Sequence, residues 1–250
     1  MKRVALVISY DGAAYHGWQI QNNAVTVQGQ LQQVLSQLFK TPVTVFGCSR
    51  TDAGVHARRF VCHFDLPFPF PIDRLPLALN ALLPYDISVS RAIEVPNDFH
   101  ARFSCRGKTY EYRLWNAPLR SAFEGKRAGF WPVPLSAERM NEFSKEFIGE
   151  HDFASFMATG SEIEDTVRII SDFSVKKEGD LITFSVTGNG FLYNMVRIMV
   201  GTLIYADLGK LEKSISEIIA AKDRTLAGIT VPPQGLYLDR PYFDQFSLDD

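Results

Sequence analysis

This sequence offers little for covalent or metal stapling. It has three cysteines, Cys48, Cys62 and Cys105. None shows C-x-x-C spacing, which argues against a disulfide framework or a zinc knuckle. The five histidines, His16, His56, His63, His100 and His151, are scattered and form no H-E-x-x-H or equivalent, so metal-dependent hydrolysis is not expected. A G-x-S-x-G elbow is missing. Gly188-Asn189-Gly190 stands between a strand and a helix as a dinucleotide fingerprint would, but Tyr193 occupies the third glycine position. The longest apolar run, near Ile198 to Ala206, falls far short of the roughly 20 residues a membrane span needs. Met1-Lys2-Arg3 leads straight into a strand-like segment, so the expectation is no signal peptide, no membrane anchor and a cytoplasmic location. Positive charge is also scarce: 26 Lys and Arg against 28 Asp and Glu leave a net charge of −2. A polyanion-binding face would have to be local.

What is present is an ordinary globular composition, 46% hydrophobic and 22% charged over 250 residues, enough for one large domain or two smaller ones with a real core. Periodicity predicts a strand over Val4–Tyr10, then a helix capped by Thr26 with apolar residues at Val27, Leu31, Val34, Leu35 and Leu38. Strands over Val43–Cys48 and Phe60–Leu66, a helix over Ile72–Leu83 and a strand over Ile87–Val95 complete a βαββαβ order. A similar order follows: a strand over Gly107–Asn116, a helix over Ser136–Gly149, and a hairpin of Thr166–Val175 with Asp180–Gly188. An apolar helical stripe from Leu192 to Leu203, a short helix over Leu211–Lys222 and a strand over Gly235–Leu238 end the chain. The fold expected is α+β, two pseudo-symmetric ferredoxin-like (βαββαβ) halves with mixed, mainly antiparallel sheets and helices on one face. The halves are placed at 1–102 and 103–250, with an active-site cleft between them as the default site.

Charge is not shared evenly. From Arg50 to Phe130 there are 12 basic and 8 acidic residues, a net +4, whereas the remainder carries 14 basic and 20 acidic, a net −6. The positive stretch is rich in Arg, the side chain suited to bidentate phosphate contacts and to stacking on bases. The plain alternative is a solvated charged face.

The densest polar stretch is Gly47-Cys48-Ser49-Arg50-Thr51-Asp52-Ala53-Gly54-Val55-His56-Ala57. It follows a predicted strand, and such loops are where functional side chains tend to sit. As an ordinary turn it would have Asp52 bonding nearby backbone and Gly54 supplying a positive φ. The string Gly-x-x-Arg-Thr-Asp-Ala-Gly-Val-His-Ala, however, closely resembles the active-site motif of the bacterial tRNA pseudouridine synthase A family. Other segments fit in the same order: Tyr10-Asp11-Gly12 with Gly17-Trp18-Gln19, Phe99-His100-Ala101-Arg102-Phe103, Lys108-Thr109-Tyr110-Glu111-Tyr112, His151-Asp152-Phe153, Gly190 to Arg197, and Pro232 to Leu238. The resemblance covers essentially the whole chain. It departs after His56-Ala57, where Arg59-Phe60 replaces a usual Gly-Gln pair.

The resemblance implies isomerisation of uridine to pseudouridine at positions 38 to 40 of the tRNA anticodon stem-loop, without a cofactor. Asp52 corresponds to the nucleophile. A carboxylate suits breakage of an N-glycosidic bond, whether it attacks C1′ directly or stabilises charge on the way to a glycal. Arg197 corresponds to the cation that keeps that carboxylate ionised; without the family it would read as a surface arginine at the edge of the stripe. Tyr110 corresponds to the ring that stacks on the target uracil, its bland alternative being a strand tyrosine spaced with Tyr112. Arg50 matches an arginine that helps displace the base or contacts a nearby phosphate, and His56, Arg58 and Arg102 are expected to contact the RNA backbone. The partners implied are tRNA and a second copy of the chain in a homodimer. Two alternatives stand beside this: a pseudouridine synthase for another RNA position, and a non-catalytic RNA-binding module, which would not need Asp52.

Overall fold

The computed structural model describes residues 2–160 and 163–248. They form two compact units, one running from the N-terminus to Arg106 and rejoined by the stretch from Tyr237 onward, the other Gly107–Leu236.

The first unit begins with β1 (Arg3–Tyr10) and α1 (Val27–Phe39). Thr26 caps α1 by accepting the Gly29 N–H, and Val27, Leu31, Val34 and Leu35 form its buried stripe as the sequence predicts, except that Phe39 rather than the expected Leu38 completes it, Leu38 being half-buried. The following strand, expected over Val43–Cys48, is only β2 (Phe46–Gly47). Its backbone groups are consumed by α1: Gln32 Oε1 accepts the Val45 N–H, Gln28 Nε2 donates to the Val45 carbonyl, and Ser36 Oγ accepts the Val43 N–H. A segment whose donors are satisfied by side chains has none left for a ladder. β3 (His56–Asp65) starts four residues before its expected beginning. The next helix shortens to α2 (Leu75–Asn80), entered through a 3₁₀ turn at Ile72–Arg74, and β4 (Ile87–Val95) matches its expected span. β4 and β3 flank β1 antiparallel, and β2 lies antiparallel on the far part of β3 through Phe46↔His63 and Gly47↔Cys62.

The second unit holds β5 (Gly107–Trp115), β6 (Gly129–Phe130), α3 (Ala137–Ser144), β7 (Gly149–Asp152), β8 (Val167–Glu178), β9 (Leu181–Gly188), α4 (Met195–Asp207) and α5 (Ile215–Ala221). Its sheet runs β5-β9-β8-β7, all antiparallel, with β6 parallel to β5. In the first unit β1 lies between β4 and β3, and in the second β9 lies between β5 and β8; the pairing is mixed and mainly antiparallel. β9 alternates strictly between buried and half-exposed residues, the mark of a sheet covered on one face. The helix expected over Ser136–Gly149 stops at Ser144 and passes through a 3₁₀ turn at Lys145–Phe147 into β7. Gly149, at φ +123°, makes that reversal.

The last strand, expected to close the second half at Gly235–Leu238, is β10 (Leu236–Tyr242). It lies parallel to the start of β3, pairing Tyr237 with His56 and Leu238 with Ala57.

Candidate active site

Asp52 occupies the loop 48–55 between β2 and β3, partly exposed, next to Thr51, which is buried. Val55 N–H donates to the Asp52 carbonyl at 3.1 Å, and Gly54, at φ +78°, closes the turn. What immobilises the loop comes from the end of β1 and the segment after it. Thr51 Oγ1 and Tyr10 Oη share a buried bond of 2.8 Å. Trp18 N–H donates to the Thr51 carbonyl at 3.0 Å, and Gly54 N–H to the Tyr15 carbonyl at 3.2 Å. Gly12 lies so close to Val55 that a Cβ would collide with its carbonyl, and at Gly17, φ +83°, a Cβ would collide with Thr51. The Tyr-Asp-Gly and Gly-Trp strings are thus a backbone cradle for the loop.

Behind the cradle, Trp18 stacks on Phe60 with centroids 4.1 Å apart, and Tyr10 lies 5.7 Å from the same ring. Phe60, fully buried, backs the loop by packing. At the loop's far end His56 is only 2% exposed. Its Nδ1 lies 3.0 Å from the Gly12 nitrogen and 3.1 Å from Asp11 Oδ1. The neutral ring therefore accepts from Gly12, whereas a protonated ring would donate to Asp11. The ring stacks on Tyr237 of β10 at 4.6 Å, and the Arg58 guanidinium sits 4.8 Å from the centre of the same tyrosine while pairing with Asp239 at 3.3 Å. Arg58 and Arg50 are exposed.

Arg102 is exposed beside Phe103, which is 78% exposed, with 5.8 Å between guanidinium and ring centre. Two imidazoles hold that loop by accepting backbone N–H groups: His63 Nδ1 from Ala101 and His100 Nδ1 from Arg102, both at 3.1 Å. Burial, then the nearby charge of His100 and Arg3, pushes His63 down to about 4. His100 moves in the same direction, chiefly by burial.

In the second unit Tyr110 and Tyr112 share one face of β5, two residues apart. Tyr110 is buried with its ring edge-on to Phe191 at 5.1 Å. Tyr112 Oη donates to the Pro232 carbonyl at 2.9 Å, and burial raises its pKa against the opposing charge of Arg197. Arg197 stands in the first turn of α4, after Asn194 in the left-handed region at φ +58°. A cation there opposes the helix macrodipole, typically by 0.3–1 kcal/mol. It is held by two short bonds, Nε to the Val231 carbonyl at 2.7 Å and Nη1 to Asn194 Oδ1 at 2.6 Å. The acceptor segment is itself locked to the helix. A Cβ on Gly201 would strike the Ile229 carbonyl and one on Gly228 would strike Gly201, while Gly228 N–H donates to Thr202 Oγ1 at 2.9 Å.

The first unit thus gathers Arg50, Asp52, His56 and Arg58 on or beside one loop, with Arg102 on another; the second holds Tyr110 and Arg197. Sequence reading missed the cradle residues Tyr10, Gly12, Gly17 and Trp18 as supports, and the 228–232 segment that anchors Arg197. A glycine inside an apolar helix, Gly201, is the available signal for the latter, because it costs roughly 1 kcal/mol against alanine unless a neighbour needs the space. Among the described residues no cluster of His, Cys, Asp and Glu could hold a metal ion, and no helix is long and apolar enough to cross a membrane.

Comparison with known proteins gives one family. The family model described as tRNA pseudouridine synthase matches residues 6–104 and 143–244. Curated relatives named tRNA pseudouridine synthase A include one from Ruminiclostridium cellulolyticum, 49% identical over 97% of this chain and 100% of that one. Another from Halalkalibacterium halodurans is 46% identical over 100% and 96%, and one from Geobacillus kaustophilus 44% identical over 99% and 96%. Among solved structures, a chain of a Cbf5-Nop10-Gar1 complex matches 94% of this chain and 57% of its own length at 10% identity and TM-score 0.40, too loose a likeness to bear on the reaction.

Proposed function

Because the chain belongs to the tRNA pseudouridine synthase family, we propose that it isomerises uridine to pseudouridine in tRNA at positions 38 to 40, with Asp52 as the nucleophile. The reaction breaks the C1′–N1 bond, turns the uracil and joins C5 to C1′; the proton lost from C5 is balanced by one gained at N1, so no oxidant, reductant or co-substrate is consumed. The observation that carries the reading is the loop at Asp52: a partly exposed carboxylate on a backbone clamped by Tyr10, Trp18, Tyr15 and Gly12. Holding a carboxylate in one place serves attack on a sugar carbon, where a misplacement of about 1 Å costs some 10²-fold.

Arg197 is given the role of the cation that favours an ionised carboxylate. A guanidinium fixed by two short bonds against its own helix dipole is a local sacrifice of the kind functional sites make. Tyr110 is given the uracil-stacking role and Arg50 the displacement of the base. His56, buried under Tyr237, suits a residue that positions the loop end, while exposed Arg58 and Arg102 suit phosphate contacts. The homodimer and the cytoplasmic location belong to the same proposal.

Mapping pseudouridine in tRNA from a strain lacking the gene tests the position. Loss confined to 38–40 supports the reading; loss at another position transfers the activity there, and an unchanged map removes it.

A further inference from the structure

Among the described residues Arg224 is a cation with no carboxylate in an ion pair with it. Among the described residues its one side-chain partner is Thr230, whose hydroxyl accepts from Nη2 at 3.2 Å, and no carboxylate lies within ion-pair distance. The adjacent Asp223 is turned away, its Oδ1 taken by the Thr225 N–H at 2.8 Å and the Thr225 hydroxyl at 2.7 Å. The guanidinium is only partly exposed, and burial lowers its pKa with no acid opposing that shift. It stays charged, since arginine does not deprotonate in proteins. A partly desolvated fork of five N–H donors with one neutral acceptor lacks the complement it is shaped for, a planar or tetrahedral oxyanion.

Its place in the fold is equally specific. Thr230 directly precedes Val231, whose carbonyl accepts from Arg197. The stretch is pinned to α4 by the close approach of Gly201 and Gly228, by the Gly228 N–H to Thr202 bond, and by the Val231 N–H to the Arg197 carbonyl. Arg224 and Arg197 are therefore tied to consecutive residues of one immobilised segment. Such a segment fixes where an anion can be received.

We propose that Arg224 binds a backbone phosphate of the substrate RNA, close to the nucleotide served by Arg197. The proposal rests on the tRNA-modifying reading above. A phosphate contact contributes affinity through counterion release and carries no sequence information. Arg224 would thus serve tRNAs of different sequence alike.

The test uses the full-length protein and an unmodified tRNA transcript. Affinity is measured against salt concentration, with steady-state kinetics and thermal melting, for wild type, Arg224→Gln and Arg224→Lys. Arg224→Gln should raise Kd and KM about tenfold, make the slope of log affinity against log salt shallower by about one, and leave kcat at saturation close to wild type. Its Tm should hold or rise, because an unpaired, partly buried charge has been removed. Arg224→Lys should restore the slope but only part of the affinity, lacking the fork. An unchanged slope and Kd in Arg224→Gln, with tRNA still modified, overturns the proposal; so does a lowered Tm with an unchanged slope, which would make Arg224 a structural strut. A wild-type protein that leaves tRNA unmodified overturns the functional reading instead.

Discussion

Tyr10, at the end of the first strand, and Thr51, the residue before Asp52, share a buried hydroxyl–hydroxyl bond of 2.8 Å across 41 positions of sequence. The bond ties the candidate nucleophile's loop to the central strand of its unit's sheet. Tyr10→Phe removes one partner and strands the other, which typically costs 1–3 kcal/mol, a Tm decrease of roughly 2–4 °C per kcal/mol at this chain length. If the bond positions Asp52, kcat should fall at least tenfold while tRNA affinity stays within twofold. Steady-state kinetics beside filter binding reads both, and a Kd that weakens in step with kcat would assign Tyr10 to RNA binding.

Arg197→Met deletes the bonds to the Val231 carbonyl and to Asn194. Charged hydrogen bonds of this kind contribute about 1.5–3 kcal/mol each, so chemical denaturation should show a loss of roughly 2–4 kcal/mol together with abolished turnover. Arg197→Lys keeps the charge but loses the fork, and should recover some activity with little of the stability. Full turnover in Arg197→Met would remove the residue from the chemistry.

Gly201→Ala introduces a Cβ where the Ile229 carbonyl already stands. Helix propensity alone would make the change stabilising by about 1 kcal/mol. Overpacking against backbone, which cannot rotate away, should reverse the sign and cost 1–3 kcal/mol. A Tm higher than wild type would show that the 228–231 segment yields, and Arg197 should then retain its function.

His63 gives the fold a pH dependence of definite sign. Its folded value is pushed to about 4, below the ordinary 6.5, so the unfolded chain binds the extra proton first as pH falls. Stability is full above about pH 6.5 and is lost progressively toward pH 4, with a span of roughly 3 kcal/mol for one buried imidazole. His100, shifted in the same direction, adds to the slope. Urea unfolding between pH 4.5 and 7 should show this decline, and His63→Asn should flatten it. A slope identical in both proteins would place the titration elsewhere.

Much of this architecture could be read from residues close together in the chain. The Thr26 cap, the stripe of Val27, Leu31, Val34 and Leu35, and the Arg50–Ala57 loop declare themselves within a dozen positions. What escaped depends on distant partners. Val43–Cys48 has strand-like composition, but Gln28 and Gln32 of the preceding helix take the backbone groups of Val45. β10 pairs with residues some 180 positions earlier, and nothing local in Leu236–Tyr242 specifies a parallel neighbour. The Tyr-Asp-Gly and Gly-Trp strings were visible as motifs, yet their work as a cradle appears only where Gly12 meets Val55 and Gly17 meets Thr51. Nothing in the sequence sets Arg224 apart, because which groups come within reach of its guanidinium is a property of the folded chain.

Asp52 is proposed to perform the chemistry on bound tRNA, without being needed to bind it. Purified wild type and Asp52→Asn, each incubated with an unmodified tRNA transcript, should be compared for tRNA affinity and for pseudouridine formed in the anticodon stem-loop. Kd should be equal within about twofold, and the product yield in Asp52→Asn lower by more than about 10⁴-fold, a loss of the size that follows removal of a catalytic nucleophile. Substantial pseudouridine formed by Asp52→Asn would contradict it.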